Sequence, residues 1–243
     1  MLHDTITPDV ETSSDGYALR FRGPVGEWFL ETQRRAVGRL LAPVAAGPLS
    51  VLEVGGGHGQ LAGSLAGSGH RLVVHASRPG CHGRLLPERD RQPARLQLVS
   101  SSLFGLPFAD GSFDLVLAVR LMAHVERWKD LLAEMARVSR RFLIVDYPPV
   151  ASLNILTPAL FGVKRRIEGN TRPYFMYLTG DIRRHLESLG YETMAVTRQF
   201  AIPMGLHRVL GRAGMSRRVE GFLEGAGLTR LIGSPALLVA RRR

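Results

Sequence analysis

The chain has 243 residues, a formal net charge of +11, 45% hydrophobic and 22% charged residues, and a single cysteine, Cys81. That length suits one large domain or a domain with a modest cap, and one cysteine excludes an internal disulfide and speaks against a cysteine-based metal site. The charge alone does not mark a nucleic-acid binder: only Lys129 and Lys164 are lysines, and the arginines are scattered in pairs such as Arg34-Arg35, Arg183-Arg184 and Arg217-Arg218.

The opening MLHDTITPDVETSSDG is polar and acidic, lacks the apolar core of a signal peptide, and is expected to be disordered or loosely packed. From Val25 to Leu41, Trp28, Phe29, Ala36, Val37, Leu40 and Leu41 recur at helical spacing, and Pro43 and Gly47-Pro48 stop the helix. Strands are then expected over 49–54, 72–76, 96–99, 113–119 and 142–145, with helices starting near Gln60 and running from Trp128 to Val138. A Pro-rich segment follows at 147–178. Thr179 is expected to cap a helix that Gly190 ends, and two last strands are expected at 191–197 and 235–240, with a Gly- and Arg-rich helical excursion between them.

Continuous apolar strands alternating with helices predict an α/β fold: a doubly wound, mostly parallel, seven-stranded sheet. The expected organisation is an N-terminal arm and cap helix over 1–47 and a Rossmann-like domain over 48–243, with a lid inserted at 147–178. The most apolar stretch, Pro148 to Val163, carries three prolines and falls short of the ~20 apolar residues of a membrane span. A cytoplasmic location is expected.

VLEVGGGHGQ puts Glu53 in the first strand and Gly55, Gly56, Gly57 and Gly59 at its turn. Glycine lets the backbone turn sharply and admits a ligand where a Cβ would stand, and the next helix offers free N–H groups. A dinucleotide turn reads GxGxxG; counted from Gly55, its sixth position is Gln60, and the frame fails. The frame present is E-x-G-x-G-x-G. It resembles the first motif of the class I, Rossmann-like S-adenosylmethionine-dependent methyltransferases. Further motifs carry the resemblance, in order: Leu106-Pro107-Phe108, Asp110-Gly111, Phe113-Asp114-Leu115-Val116, His124-Val125 and Ala136-Arg137-Val138. The pattern is that of the small-molecule group that includes the ubiquinone and menaquinone biosynthesis methyltransferases. It covers residues 48–146 well and the ends loosely, and the closing PALLVARR is similar to the group's last, antiparallel strand.

The resemblance implies S-adenosylmethionine as cofactor, held by Tyr17, Glu53, Gly55, Gly57, Gly59, Ser77, Ser102, Leu103 and Ala118. Two acids of the family pattern are missing. The one that ends the second strand and holds the ribose falls on Ala76 or Ser77, and the one before the Leu-Pro-Phe motif falls on Ser102. Either serine hydroxyls and waters replace them or the cofactor site has decayed. Arg78 opens an NADP reading, through contact with a ribose phosphate, but the glycine frame and the lack of a Tyr-x-x-x-Lys pair speak against it.

Chemistry is expected at the carboxyl ends of the strands, where Arg120, His124 and Asp146 are the catalytic candidates. His124 suits a general base, Arg120 binding of an acidic group or pairing with Asp146, and Asp146 orientation of His124. The lid's Leu153, Ile155, Leu156, Leu160, Phe161, Tyr174, Phe175 and Tyr177 point to a hydrophobic or aromatic small-molecule acceptor. Methyl transfer to such an acceptor is the first reading. The alternative is a non-catalytic binding or scaffold protein with a degraded cofactor site. A nucleic-acid methyltransferase ranks third, because Asn/Asp-Pro-Pro-Tyr is absent after the fourth strand. No membrane span is expected, an interfacial contact is left open, and no metal site is suggested.

Overall fold

The computed structural model describes residues 7–153 and 174–243. Seven strands form one sheet in the order β3-β2-β1-β4-β5-β7-β6. The strands are β1 (Ser50–Val54), β2 (Arg71–Ala76), β3 (Leu96–Ser100), β4 (Phe113–Ala118), β5 (Ser139–Tyr147), β6 (Tyr191–Phe200) and β7 (Ser234–Arg242). Strands β1 to β5 are parallel, and β7 runs antiparallel to both its neighbours, β5 and β6. This is the doubly wound sheet expected, with its antiparallel last strand.

The pleat sorts the apolar side chains onto two faces. Val51, Val74, Leu115, Leu117 and Ile144 point to one side, where Ala36, Val37, Leu40 and Leu41 of α3 (Gly23–Leu41) and Leu65 of α4 (Ala62–Gly67) cover them. Leu52, Val54, Val116, Leu143 and Leu238 point to the other. There they meet Leu131, Leu132 and Met135 of α6 (Trp128–Val138), and Ile182 and Leu186 of α7 (Thr179–Ser188). Helix α5 (Leu86–Arg91) precedes β3. The excursion between β6 and β7 holds α8 (Met204–Leu210), α9 (Ala213–Gly225) and α10 (Leu228–Ile232). No helix among the described residues is long and apolar enough to cross a membrane.

Two expectations are corrected. Thr179 is the first residue of α7 rather than its cap; its hydroxyl instead accepts a hydrogen bond from Tyr147 at 3.1 Å. The N-terminal arm, from residue 7 on, is ordered and packed. It forms α1 (Pro8–Thr12) and α2 (Asp15–Leu19), with Asp9 and Thr12 buried. Its polar residues find partners both nearby and far along the chain. Asp9 accepts from the Ser77 amide, the Ser14 hydroxyl caps α2 on the Tyr17 amide, and Tyr17 and Phe21 join Trp28, Phe29 and Phe200 in an aromatic cluster.

Candidate active site

The strand order reverses between β1 and β4, and the carboxyl ends of strands at such a reversal are where this kind of sheet binds its ligand. The glycine turn leaves β1 there. Gly55 and Gly59 hold φ of +68° and +70°, the left-handed region that glycine enters without steric cost. Gly57 needs its missing Cβ for another reason: a methyl there would collide with the Ser13 hydroxyl of the arm and the Cys81 carbonyl oxygen.

Glu53 projects from β1 beneath this turn. It is fully buried, and neither carboxyl oxygen has a hydrogen-bond partner in the structure. Burial pushes its pKa up to about 8. His58 lies 4.0 Å away, but loss of solvation lowers that imidazole to about 4. Its Nδ1 accepts from the Gln60 amide at 3.2 Å, which leaves Nε2 to donate to the Val119 carbonyl at 3.1 Å. Both groups are therefore neutral at pH 7. An unsatisfied acid in a glycine cradle suits a ligand that brings a cation and N–H donors, as the aminocarboxylate end of S-adenosylmethionine does.

Past β4 the chain turns at Arg120, which holds φ of +60° despite its side chain. The turn is pinned from several sides. The Arg120 amide donates to Asp146 Oδ1 at 2.6 Å, and Nε donates to the Gln33 side chain. The guanidinium lies 4.4 Å from the centre of the Phe21 ring and hydrogen-bonds to Tyr17. Burial raises Asp146 to about 6, against the opposing pull of Arg120. Arg120 and Asp146 are thus brought together with Tyr17, while the His124 ring stands edge-on to Tyr174, with centroids 6.1 Å apart. Tyr174 is the first described residue after the 154–173 segment. The expected lid residues Ile155, Leu156, Leu160 and Phe161 lie outside the described residues.

At the end of β2, Ser77 bonds Thr7 through the two hydroxyls at 2.5 Å. Ser102 accepts from the Phe104 amide at 3.1 Å, and Leu103 and Ala118 are buried in the core. Four residues of the site were not singled out from sequence. Gln33, Phe21 and Asp9 carry no local motif, whereas His58 sits inside the glycine turn and was open to view. Among the described residues no cluster of acids, histidines and cysteine has metal-holding geometry. An open cleft of about 660 Å³, lined by Ala42, Arg140 and Arg242, lies at the amino end of β5, opposite the site.

The fold and this glycine-and-acid turn resemble those of the class I, Rossmann-like methyltransferases, the class whose cofactor is S-adenosylmethionine. Residues 52–141 match the family described as a methyltransferase domain. The chain is 31% identical over 157 residues to a ubiquinone/menaquinone biosynthesis C-methyltransferase of Paracoccus denitrificans, covering 59% of this chain and 63% of that protein. It is 29% identical over 178 residues to the enzyme of the same name from Dinoroseobacter shibae, covering 66% of this chain and 68% of that protein. The chain thus spans less than two thirds of the length of the first of these relatives. In fold the chain is similar to the magnesium protoporphyrin IX methyltransferase of Synechocystis with bound S-adenosylhomocysteine, with a TM-score of 0.68, 17% identity, and 97% and 98% of the two chains covered.

Proposed function

We propose that the protein transfers a methyl group from S-adenosylmethionine to a small, largely apolar or aromatic acceptor. The observation that carries the reading is the buried, unpartnered Glu53 carboxyl beside the glycine turn. In this reading Glu53, Gly55, Gly57 and Gly59 hold the aminocarboxylate end, Ser77 faces the ribose, Ser102 and Leu103 face the adenine, and Tyr17 and Ala118 line the seat. When bound, the cofactor supplies a methyl group already activated on a sulfonium, so the protein has chiefly to align a nucleophile and exclude water. His124 is the base for the acceptor's proton, and Arg120 with Asp146 fixes the turn that carries it.

An apolar acceptor is supported by the residues bordering the 154–173 segment. Leu153, Tyr174 and Leu178, which flank it, are 36%, 42% and 56% exposed. It also agrees with the quinone and porphyrin rings in the names of the relatives above.

Calorimetric titration with S-adenosylmethionine, S-adenosylhomocysteine and NADPH tests the reading. Micromolar binding of the first two and none of the third is expected. Absence of binding at millimolar cofactor would overturn it in favour of a non-catalytic binding or scaffold protein, a reading that the arm packed against Gly57 and Ser77 also suits.

A further inference from the structure

The acid missing from the end of β2 has a counterpart in space. Asp9, in α1 of the N-terminal arm, is fully buried, and its Oδ2 accepts from the Ser77 backbone amide at 2.5 Å. That amide belongs to one of the two residues, Ala76 and Ser77, where the family pattern places its ribose-binding carboxylate. The neighbouring Thr7 hydroxyl, 2.5 Å from the Ser77 hydroxyl, fastens the arm at the same point. Asp9 Oδ1 is also buried and has no hydrogen-bond partner. A carboxylate oxygen removed from water with nothing to accept from carries a real cost, and such an atom in a native fold calls for a partner. The neighbouring histidines are engaged at one nitrogen only, with His75 Nδ1 and His82 Nδ1 also lacking a partner. His75 Nε2 bonds the Ser101 hydroxyl at 2.9 Å, and His82 Nε2 bonds the Val99 carbonyl and the Ser100 hydroxyl at 3.2 and 3.1 Å.

We infer that Asp9 supplies the ribose-binding carboxylate of this protein, from the N-terminal arm instead of from the second strand. Oδ2 stays on the Ser77 amide, which fixes the carboxylate at the strand end, and Oδ1 accepts a ribose hydroxyl. The arrangement joins cofactor recognition to the position of the arm: α1 rests on the glycine turn, with Ser13 against Gly57, so nucleoside and arm must be accommodated together. This inference rests on the proposed S-adenosylmethionine site and deepens it.

The test is titration of the full chain with S-adenosylhomocysteine and with an analogue lacking both ribose hydroxyls. Asp9→Asn is expected to weaken S-adenosylhomocysteine binding roughly ten- to a hundred-fold, the loss that follows removal of a hydrogen bond to a charged acceptor. It should leave the analogue's already weak binding unchanged. Ser77→Asp in the Asp9→Asn background returns a carboxylate to the strand end and should recover most of the affinity, which a merely misfolded Asp9→Asn protein would not do. If Asp9→Asn binds S-adenosylhomocysteine as tightly as the parent, or more tightly, the assignment is overturned and the arm is a plug competing with the cofactor. If neither the parent nor any variant binds either methionine-derived compound, the S-adenosylmethionine reading itself fails and takes the assignment with it.

Discussion

Glu53 Oε1 and His58 Nε2 face each other 4.0 Å apart, both buried, yet they do not form an ion pair, because burial drives the acid up to about 8 and the imidazole down to about 4. The pair splits the pH dependence of stability into two opposing parts. Unfolded, Glu53 ionises near its ordinary 4.5; folded, it keeps its proton to about 8. Its contribution is fully present below pH 4.5 and is lost as the pH rises through that window. His58 works the other way: its contribution is present above 6.5 and is lost as the pH falls toward 4. Glu53→Gln is therefore expected to stabilise the cofactor-free protein at about pH 8 relative to the parent, by a few kcal/mol, and to change it little at about pH 5. Urea unfolding at the two pH values reads this directly. Equal shifts at both would show that Glu53 is ionised throughout.

The same carboxyl makes a second claim, on ligand binding. A cationic cofactor end seated on Glu53 requires the ionised acid, so binding below about pH 8 must release a proton. The heat of S-adenosylmethionine binding at neutral pH should then vary with the ionisation enthalpy of the buffer. In Glu53→Gln that variation should vanish and affinity should drop about ten-fold or more. A buffer-independent heat in the parent would remove Glu53 from the contact.

Arg120 is held by Asp146, Gln33, Tyr17 and Phe21 at a backbone angle that costs a non-glycine residue ~1–2 kcal/mol. Removing the guanidinium strands Asp146 in a site that has already raised it to about 6. Arg120→Met should lose about 3–5 kcal/mol in denaturant unfolding, as breaking a buried pair from one side does, and should raise the Asp146 pKa further. Asp146→Asn in that background should recover part of the loss, because no lone charge is then left buried. A purely additive double variant would mean that the two residues act independently.

The strands were legible because β1, β2, β4 and β5 carry mostly apolar runs, the pattern of a parallel sheet covered on both faces. The boundaries were less so. Strand β5 begins at Ser139, ahead of the expected Phe142, because Arg140 and Arg141 are exposed at its amino end and break the apolar run without breaking the ladder. The glycine frame and Glu53 were legible because that chemistry is local. The arm was not. Asp9 and Ser77 are 68 residues apart, and Gln33 and Arg120 are 87 apart, so neither contact leaves a periodic trace, and a polar, acidic segment carries the composition of a loose tail. What made those residues look disordered, their short polar side chains, is what lets them bond the open backbone and hydroxyl groups at the strand ends.

Two glycines separate the seat from the scaffold. A methyl at Gly57 would meet Ser13 and Cys81, whereas one at Gly67, at the end of α4, meets nothing within 4 Å. Gly57→Ala is expected to push the arm off the turn and to weaken S-adenosylhomocysteine binding more than ten-fold, while Gly67→Ala leaves binding intact and adds roughly 0.5–1 kcal/mol through helix propensity. Calorimetry and thermal unfolding on both variants check this, and equal effects on binding would dissociate the turn from the cofactor.

The turn carrying His124 is stapled from the far side of the 154–173 segment. Tyr177 Oη, buried against Trp128 and Tyr147, lies 2.7 Å from the Met122 carbonyl and 2.9 Å from that of Val125, and shares its one proton between them. Burial raises the phenol well above its ordinary pKa, so it remains a donor across the working range. Phe175 adds a backbone bond from its amide to the Ala123 carbonyl at 2.8 Å. Tyr177→Phe keeps the ring and removes the staple. It should cost about 1–3 kcal/mol in unfolding, the penalty for leaving buried carbonyls short of a donor. If His124 is the base, the variant should also lower kcat while leaving the affinity for S-adenosylmethionine unchanged, since the residues proposed to hold the cofactor lie on β1, β4, the ends of β2 and β3, and the arm. A fall in cofactor affinity with kcat preserved would mean that the 122–125 turn serves the cofactor and not the acceptor.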